Sequence, residues 1–413
     1  MNRTSAMILA AVAALGAQAG LEPVSPKDGA ELKLLTEVQK KIMSIPTYDE
    51  RLAALQADKK IEKKEKRYYG RHNSWWRRAE PLVLKWTATA GETGPWKIEY
   101  GKKADLSDAE VLYIGADELK PGKDGAFKRD VSRANLEIGT TYYWRVTGNV
   151  HCPKGRCNHD CKCKKLGPET ASAVASFKTE DMAPRWIAIE GSVGNIRDLG
   201  GRKTASGKRV RQNLVFRGQG LNHNSVTGAK KGRNRLTVED VEYFTEKLGV
   251  KTDLDLRSPR ETADMVASPL GPKVKFVLRS SPCYGGIFSE SGKKTMAENF
   301  RVFCDRANYP IYFHCIGGAD RTGSLAYVLN GVLGVDRHEL ETDWESTFYP
   351  TFPEMRKDYT GEHYWCREQH FNNGFDKYGT DGDSWNKRIE LYLLDCGIKP
   401  EEIEAFRKIM LEE

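Results

Sequence analysis

Residues 310–324 read PIYFHCIGGADRTGS, and this stretch decides how the chain is interpreted. An apolar strand (IYF) ends at His314 and Cys315, a short glycine-containing loop follows, and an apolar-periodic helix begins near Arg321. A loop that enters a helix N-terminus presents unpaired backbone N–H groups and the positive end of the helix dipole. The segment therefore predicts an anion-binding cradle with a cysteine at its mouth.

The residue types in this loop suit phosphoryl transfer. Thiols at helix N-termini are commonly ionised near neutral pH, so Cys315 is predicted to be a thiolate nucleophile. The planar fork of Arg321 can hold two phosphate oxygens at once. Thr322 is expected to donate a hydrogen bond to the thiolate, and His314 is expected to be a packed, non-reacting residue. The predicted phosphate-binding positions are Ile316, Gly317, Gly318, Ala319 and Thr322, with the two glycines letting the backbone bend around the anion.

The pattern H-C-x-x-G-x-D-R-T-G resembles the phosphate loop of cysteine-based protein tyrosine phosphatases, in particular a bacterial branch of tyrosine and phosphoinositide phosphatases. Similar motifs occur at 195–201 (N-x-R-D-x-G-G), 214–218 and 255–261 (D-L-R-x-x-x-E). The resemblance implies a phosphatase domain over 184–413 and a cysteinyl-phosphate intermediate. No metal or other cofactor is expected, because Arg321 and the backbone dipoles supply the positive charge. The branch often has a Lys linked to phosphoinositide handling where this chain has Ala319, which favours phosphotyrosine as the substrate.

The proton donor for the leaving group has two candidates. A tyrosine leaving group benefits from a general acid. In the family the Asp inside the loop is a proposed donor, which corresponds to Asp320, and Asp255 is the second candidate. A bracing role in the loop is the alternative for Asp320. The predicted catalytic set is Cys315, Arg321 and Asp320.

The C-terminal half alternates short apolar strands with helices, which predicts an α/β domain around a mostly parallel sheet. Strands are predicted at 213–217, 252–256, 274–278 and 311–314, and helices at about 238–248, 294–307, 321–334, 337–346 and 384–410.

The N-terminal half has a different pattern. From residue 81 the apolar period becomes two, and six alternating segments separated by turn residues predict an all-β sandwich. The segment LEIGTTYYWRV at 136–146 resembles the fibronectin type III pattern, in which a tyrosine, here Tyr142, ties down a corner. The resemblance implies a sandwich over 20–183 with a charged helical insertion at about 32–78. Such a module is suited to protein or surface contacts.

Residues 1–19, MNRTSAMILAAVAALGAQA, indicate a signal peptide, because one positive charge precedes a short apolar run and a small-x-small end. The chain is therefore predicted to be secreted or periplasmic. In an oxidising compartment nine cysteines predict one free thiol, Cys315, and four disulfides. Four of the eight paired cysteines are Cys152, Cys157, Cys161 and Cys163, where a metal site is the alternative. The other four are Cys283, Cys304, Cys366 and Cys396.

Composition narrows the partners. The 413 residues are 39% hydrophobic, which is enough for a core and excludes wholesale disorder. A formal charge of +8 suits anionic small substrates and is too small to argue for nucleic acid. After the signal peptide no apolar run is long enough for an integral membrane segment.

Two other functions fit the same sequence. The same loop occurs in inositol-polyphosphate or phosphoinositide phosphatases, which would need a wide pocket rich in Lys and Arg. The chain could also be a phosphoprotein-binding or adhesion protein with a weak catalytic domain, since sandwich modules usually mediate contacts.

Overall fold

The computed structural model describes residues 20–47, 50, 82–88, 94–116, 118–131, 133–151, 167–191, 193–221, 235–262, 265–347 and 373–413. The predicted signal peptide, most of the predicted insertion, the cysteine cluster at 152–163 and Cys366 lie outside these residues. The chain divides into two compact units. The described part of the first unit is 20–33, 82–134 and 139–180, apart from the gaps above, and the second contains 34–47, 135–138 and 181–413. Residues 34–47 of the predicted insertion thus group with the second unit.

The first unit is built from two β-sheets. One has the order β1-β3-β6 and is antiparallel, and the other has the order β2-β9-β7-β4-β5 with β8 beside β7. The strands are β1 Leu21–Ser25, β2 Ala30–Leu32, β3 Leu82–Ala88, β4 Trp96–Gly101, β5 Glu110–Ile114, β6 Ala126–Val131, β7 Thr141–Gly148, β8 Thr170–Ala171 and β9 Ala175–Thr179. Each of the six predicted alternating segments contains a strand.

Aromatic side chains from both sheets form the core of this unit. The rings of Trp86 on β3 and Trp96 on β4 lie 5.4 Å apart, and Phe127 on β6 is 4.7 Å from Trp96. Alternate residues of β3 are buried, which is the pattern that a period of two predicts. Tyr142 is buried and stacks on Phe177 at 5.6 Å.

The second unit contains a six-stranded sheet with the order β10-β11-β12-β15-β13-β14. Its strands are β10 Arg185–Trp186, β11 Arg197–Asp198, β12 Val215–Gln219, β13 Thr252–Asp255, β14 Lys275–Leu278 and β15 Ile311–Cys315. The last four in this list pair in parallel, so the sheet is mostly parallel as predicted. Gln219 pairs with Cys315, and Asp255 pairs with His314. The segments that follow these strands therefore emerge at one edge of the sheet, around Cys315.

Helices pack around this sheet. They are α1 Glu37–Met43, α2 Val238–Glu242, α3 Pro259–Thr262, α4 Glu290–Cys304, α5 Asp320–Val332, α6 Arg337–Ser346, α7 Trp385–Asp395 and α8 Pro400–Met410. The helix predicted at 384–410 is wrong in one respect, because it is two helices. Gly397 has a φ of 83°, and Pro400, which has no N–H to donate, is the first residue of α8. None of the helices in the described ranges is long and apolar enough to cross a membrane.

Helix α5 is held firmly inside this unit. Eleven of its thirteen residues are buried. A Cβ at Gly323 would lie 2.4 Å from Trp344 Cδ1, and one at Gly331 would lie 2.3 Å from Ile389 Cδ1. Each fully buried large apolar side chain stabilises the fold by roughly 1.5–3 kcal/mol. The N-terminus of α5, and the loop that leads into it, therefore stand on a rigid support.

Candidate active site

Cys315 lies at the carboxyl end of β15, where the loop to α5 begins. Its side chain is 2% exposed and its thiol is free. The predicted unit of strand, cysteine, loop and helix is therefore present, with β15 at 311–315 and α5 beginning at Asp320.

The loop after Cys315 carries unused backbone donors. The N–H groups of residues 317–321 donate to no acceptor within the described part of the chain. The N-cap position of α5 is Ala319, which makes no side-chain capping bond. Alanine is a poor N-cap, and a Ser or Asp there would accept one of the first N–H groups of the helix. The loop therefore has donors that an anion could accept from, and anion binding itself stays a prediction.

The two glycine positions of the loop, 317 and 318, differ in whether they could accommodate a side chain. Gly318 has a φ of 67°, and a Cβ there would lie 2.4 Å from the backbone of Gly218. Gly317 has room for a Cβ, since its nearest neighbour would be 3.9 Å away. Only Gly318 thus requires a residue without a side chain, because it combines a left-handed backbone with close packing on β12.

The guanidinium of Arg321 is aimed by Glu261. Nη1 and Nη2 of Arg321 donate to the two carboxylate oxygens of Glu261 at 2.7 and 2.8 Å, and Nη1 also donates to the carbonyl of Leu256. An arginine has five N–H donors. Two of them, on Nε and Nη2, have no acceptor among the described residues. These two can hold two oxygens of one phosphoryl group.

Charge in this pair favours a permanently ionised clamp. The hydrogen bonds from Arg321 lower the pKa of Glu261 to about 2. Burial alone would lower the pKa of Arg321, but Glu261 and the nearby sulfur of Cys315 raise it above its usual value. Glu261 was not a predicted site residue, although it is the last position of the D-L-R-x-x-x-E motif.

Asn195 and Arg217 brace the loop from behind. The Asn195 Nδ2 donates to the carbonyls of Gly317 and Gly318, both at 3.1 Å. The Arg217 Nη2 donates to the Gly318 carbonyl at 2.8 Å. In a trans peptide the N–H points opposite to the carbonyl, so the N–H groups of Gly318 and Ala319 point away from Asn195 and Arg217.

Three buried arginines surround Asp343 on α6. Arg197 Nε and Arg202 Nη2 donate to Oδ1 at 3.0 Å each, and Arg217 Nη1 donates to Oδ2 at 2.6 Å. Burial alone would raise the pKa of Asp343, but the three guanidinium groups hold it well below its usual range. Arg197 therefore has a structural role at the centre of this cluster. Asp198, the next residue of the motif at 195–201, is also structural, because it forms a buried ion pair with Arg185 at 2.9 Å.

Asp255 is in the wrong environment for a proton donor, which counts against the second acid candidate. It is completely buried and accepts bonds from the backbone and side chain of Arg257, the shortest being 2.6 Å. Burial alone would raise the pKa of Asp255, but His314 and Arg257 lower it, so the group stays ionised. His314 is also completely buried, with Nε2 2.8 Å from Asp253, and it is a packed residue as predicted.

Asp320, the first acid candidate, is half-buried at the start of α5 and accepts a hydrogen bond from the hydroxyl of Tyr284. The predicted hydrogen bond from Thr322 to the thiolate is not made. The Thr322 hydroxyl is buried and has no partner in the described part of the chain.

The cysteine predictions are corrected in part. Cys304 and Cys396 carry free thiols, so the prediction of four disulfides is wrong. Both thiols lie among apolar side chains, and burial raises the pKa of each to about 12. Within the described ranges no group of His, Cys, Asp and Glu could hold a metal ion. The cluster at 152–163 lies outside the described residues and stays a prediction.

The fold and this site define a class of protein: an α/β domain in which a cysteine at a strand end is followed by a loop with unused backbone N–H groups and by an arginine in the first turn of a helix. The family model described as the tyrosine phosphatase family matches residues 188–412. The chain therefore belongs to the tyrosine phosphatase family and is a hydrolase of that family. The match does not extend into the N-terminal unit.

Individual relatives are more distant. A protein of Cupriavidus necator, named as a candidate tyrosine-protein phosphatase, is 25% identical over 203 residues, which are 42% of this chain and 69% of that protein. Among solved structures, the core catalytic domain of the PP-IP phosphatase SIW14 from S. cerevisiae in complex with citrate is 16% identical. It covers 39% of this chain and 93% of its own, with a TM-score of 0.24. A second Siw14 catalytic core is 13% identical, covers 39% and 92%, and has a TM-score of 0.22.

Proposed function

We propose that this chain hydrolyses phosphomonoesters, with phosphotyrosine as the substrate, through a cysteinyl-phosphate intermediate. The observation that supports it most is the arrangement at the carboxyl end of β15. A free cysteine, five unused N–H groups at 317–321 and two unused donors on Arg321 meet at one loop. Positive charge and fixed donors aimed at one point are what phosphoryl transfer needs from a protein.

The proposed reaction has two steps. Cys315 Sγ attacks phosphorus in line, so that a P–S bond forms as the P–O bond to the leaving group breaks. Asp320 gives its proton to the departing oxygen. A water then attacks phosphorus, loses a proton to the Asp320 carboxylate, and releases phosphate and the thiolate. Arg321 and the N–H groups of 317–321 hold the equatorial oxygens in both steps.

The choice of phosphotyrosine rests on two features. Ala319 stands where phosphoinositide-handling relatives often have Lys, so the loop contributes no extra cation for a second phosphate. Beside the loop, the rings of Tyr284 and Trp344 lie edge to face at 6.1 Å, which offers an aromatic wall to an aryl ester.

The test is turnover by the full chain of a phosphotyrosine peptide, a phosphoserine peptide, a phosphoinositide and inositol hexakisphosphate. We expect release of phosphate from the phosphotyrosine peptide with vanadate sensitivity. Cys315→Ser removes the nucleophile and should abolish turnover, while Cys396→Ser, which changes another free thiol of the same unit, should leave it intact. Equal activity of wild type and Cys315→Ser would refute the nucleophile.

Substrate identity has its own outcomes. Faster turnover of inositol hexakisphosphate or the phosphoinositide would replace phosphotyrosine by the polyphosphate alternative. Absence of turnover of all four, with retained binding of the phosphotyrosine peptide, would favour the phosphoprotein-binding alternative.

We also propose that the N-terminal unit is a fibronectin III-like sandwich and that the chain is exported. The support is the two-sheet arrangement around Trp86, Trp96 and Phe127, together with the N-terminal segment MNRTSAMILAAVAALGAQA. Mass spectrometry of the chain from fractionated cells that produce it tests export. A mature chain beginning at Gly20 in the exported fraction is expected, and an intact Met1 terminus would contradict it.

A further inference from the structure

Tyr284 has a backbone conformation that needs an explanation. Its φ is 53°, in the left-handed region that a bulky aromatic residue rarely adopts. Such conformations persist only where the surroundings enforce them, and they are concentrated at functional sites. What holds Tyr284 in this state therefore indicates what the residue is for.

The contacts of Tyr284 converge on Asp320. Its backbone N–H donates to Ser324 Oγ at 3.0 Å, and that hydroxyl donates to the backbone carbonyl of Asp320 at 2.9 Å. Its phenolic hydroxyl donates to Oδ1 of Asp320. Tyr284 is thus tied to the same residue twice, once through Ser324 and once directly.

The segment that carries Tyr284 is itself fixed. It is a short 3-10 helix, Tyr284–Phe288, in which Ile287 is completely buried. The hydroxyl of Tyr392 on α7 donates to the Ile287 carbonyl at 2.9 Å. The phenol is therefore presented to Asp320 from a rigid element rather than from a loose side chain.

We infer that Tyr284 is the positioning residue of the proposed general acid, and this inference rests on the proposed function. The two oxygens of a carboxyl group are equivalent until one of them is bound. With Oδ1 of Asp320 accepting from Tyr284, the proton is carried on Oδ2, and rotation of the group is restricted. In the first step Oδ2 gives that proton to the leaving oxygen. In the second step the phenol stabilises the carboxylate while Oδ2 takes the proton from water.

The test compares leaving groups, because a merely structural role would slow all substrates alike. Removing a general acid lowers the rate about 10²–10⁴-fold, so Asp320→Asn should lower kcat on phenyl phosphate by about that factor. Tyr284→Phe removes one hydrogen bond and should lower kcat on phenyl phosphate roughly tenfold. On p-nitrophenyl phosphate, whose leaving group needs little protonation, it should lower kcat less than about twofold. The double variant should equal Asp320→Asn, since Tyr284 acts through that carboxyl.

The matched control is Tyr378→Phe, which removes another tyrosine–aspartate hydrogen bond of this unit, 2.7 Å from the phenol to Asp395, and should leave both rates unchanged. If Tyr284→Phe unfolds, Ser324→Ala removes the backbone anchor instead and should show the same leaving-group bias.

Equal losses on both substrates, or losses that multiply in the double variant, would overturn the inference. That failure is distinct from failure of the proposed function, in which wild type would hydrolyse neither ester.

Discussion

Replacing Asp343 by asparagine tests how the phosphate loop is supported from behind. The substitution keeps the shape of the side chain and removes its charge. In the native protein that carboxylate faces the guanidinium groups of Arg197, Arg202 and Arg217, all completely or almost completely buried. A further carboxylate, that of Glu339, lies 3.8 Å from Arg202. In Asp343→Asn three buried cations are left without their shared anion, and the new amide directs two donors toward them.

The magnitude follows from burial. Breaking a buried ion pair by removing one partner costs about 3–5 kcal/mol, because the remaining charge is left uncompensated. For a unit of this size 1 kcal/mol shifts the Tm by roughly 2–4 °C. We therefore expect Asp343→Asn to lower the Tm of the second unit by about 6–20 °C. The pKa of Asp343 lies below its unfolded value of about 3.9, so its contribution is fully present near pH 7 and is lost only as the pH falls below about 4.

The assay measures thermal unfolding of the full chain at pH 7 by calorimetry. Phosphatase activity should be lost at the same temperature as the second unit unfolds. The control is Asp395→Asn, which breaks a partly exposed surface pair with Lys293 and should change the Tm little, because surface ion pairs contribute little to stability. If Asp343→Asn unfolds within 1 kcal/mol of the control, the reasoning about uncompensated buried charge is refuted.

Two further changes test the loop itself. Glu261→Gln should lower kcat/KM about tenfold or more, because Arg321 loses the carboxylate that orients it. The pKa of Glu261 is lowered to about 2, so the carboxylate stabilises the fold above about pH 4.3 and loses this effect as the pH falls toward 2. In acid titrations the difference in unfolding free energy between wild type and variant should therefore close over that pH range. A gap that stays constant down to pH 2 would contradict the assignment. Gly318→Ala should lower kcat/KM at least about a hundredfold, since the new Cβ would lie 2.4 Å from the backbone of Gly218. The control Gly382→Ala, whose Cβ would have no atom within 4 Å, should leave kcat/KM unchanged. Similar kinetics for the two variants would count against the tight loop geometry.

Much of the fold could be predicted because the spacing of apolar residues along the chain indicates strands and helices. The strands at 311–315 and 252–255 and the helix at 337–346 lie within one or two residues of their predicted bounds. The predicted bounds of helices were wrong where a helix ends or changes type for a reason other than its pattern of apolar residues. The predicted helix 384–410 is apolar-periodic throughout, yet Gly397 and Pro400 divide it, and 238–248 changes from α-helix to a wider π-helical turn at Tyr243–Lys247.

The residues of the candidate site also differ in whether the sequence alone could identify them. Cys315, Arg321 and the loop between them could be found from the sequence, because a strand end, a turn and a helix start are consecutive in the chain and their geometry follows from the backbone alone. Glu261 was visible only as a motif position with no partner assigned to it. The contact of Tyr284 with Asp320 had no sequence signal at all.

By itself the sequence determined the candidate nucleophile, the predicted anion cradle and the alternation of strands and helices, since each of these depends on neighbours a few residues apart. Only the tertiary structure decided what aims and supports them. The clamp of Glu261 on Arg321 and the cluster around Asp343 join residues 60 to 146 positions apart. Such contacts depend on which strands lie side by side and which ends meet, and no local period of apolar residues records that order.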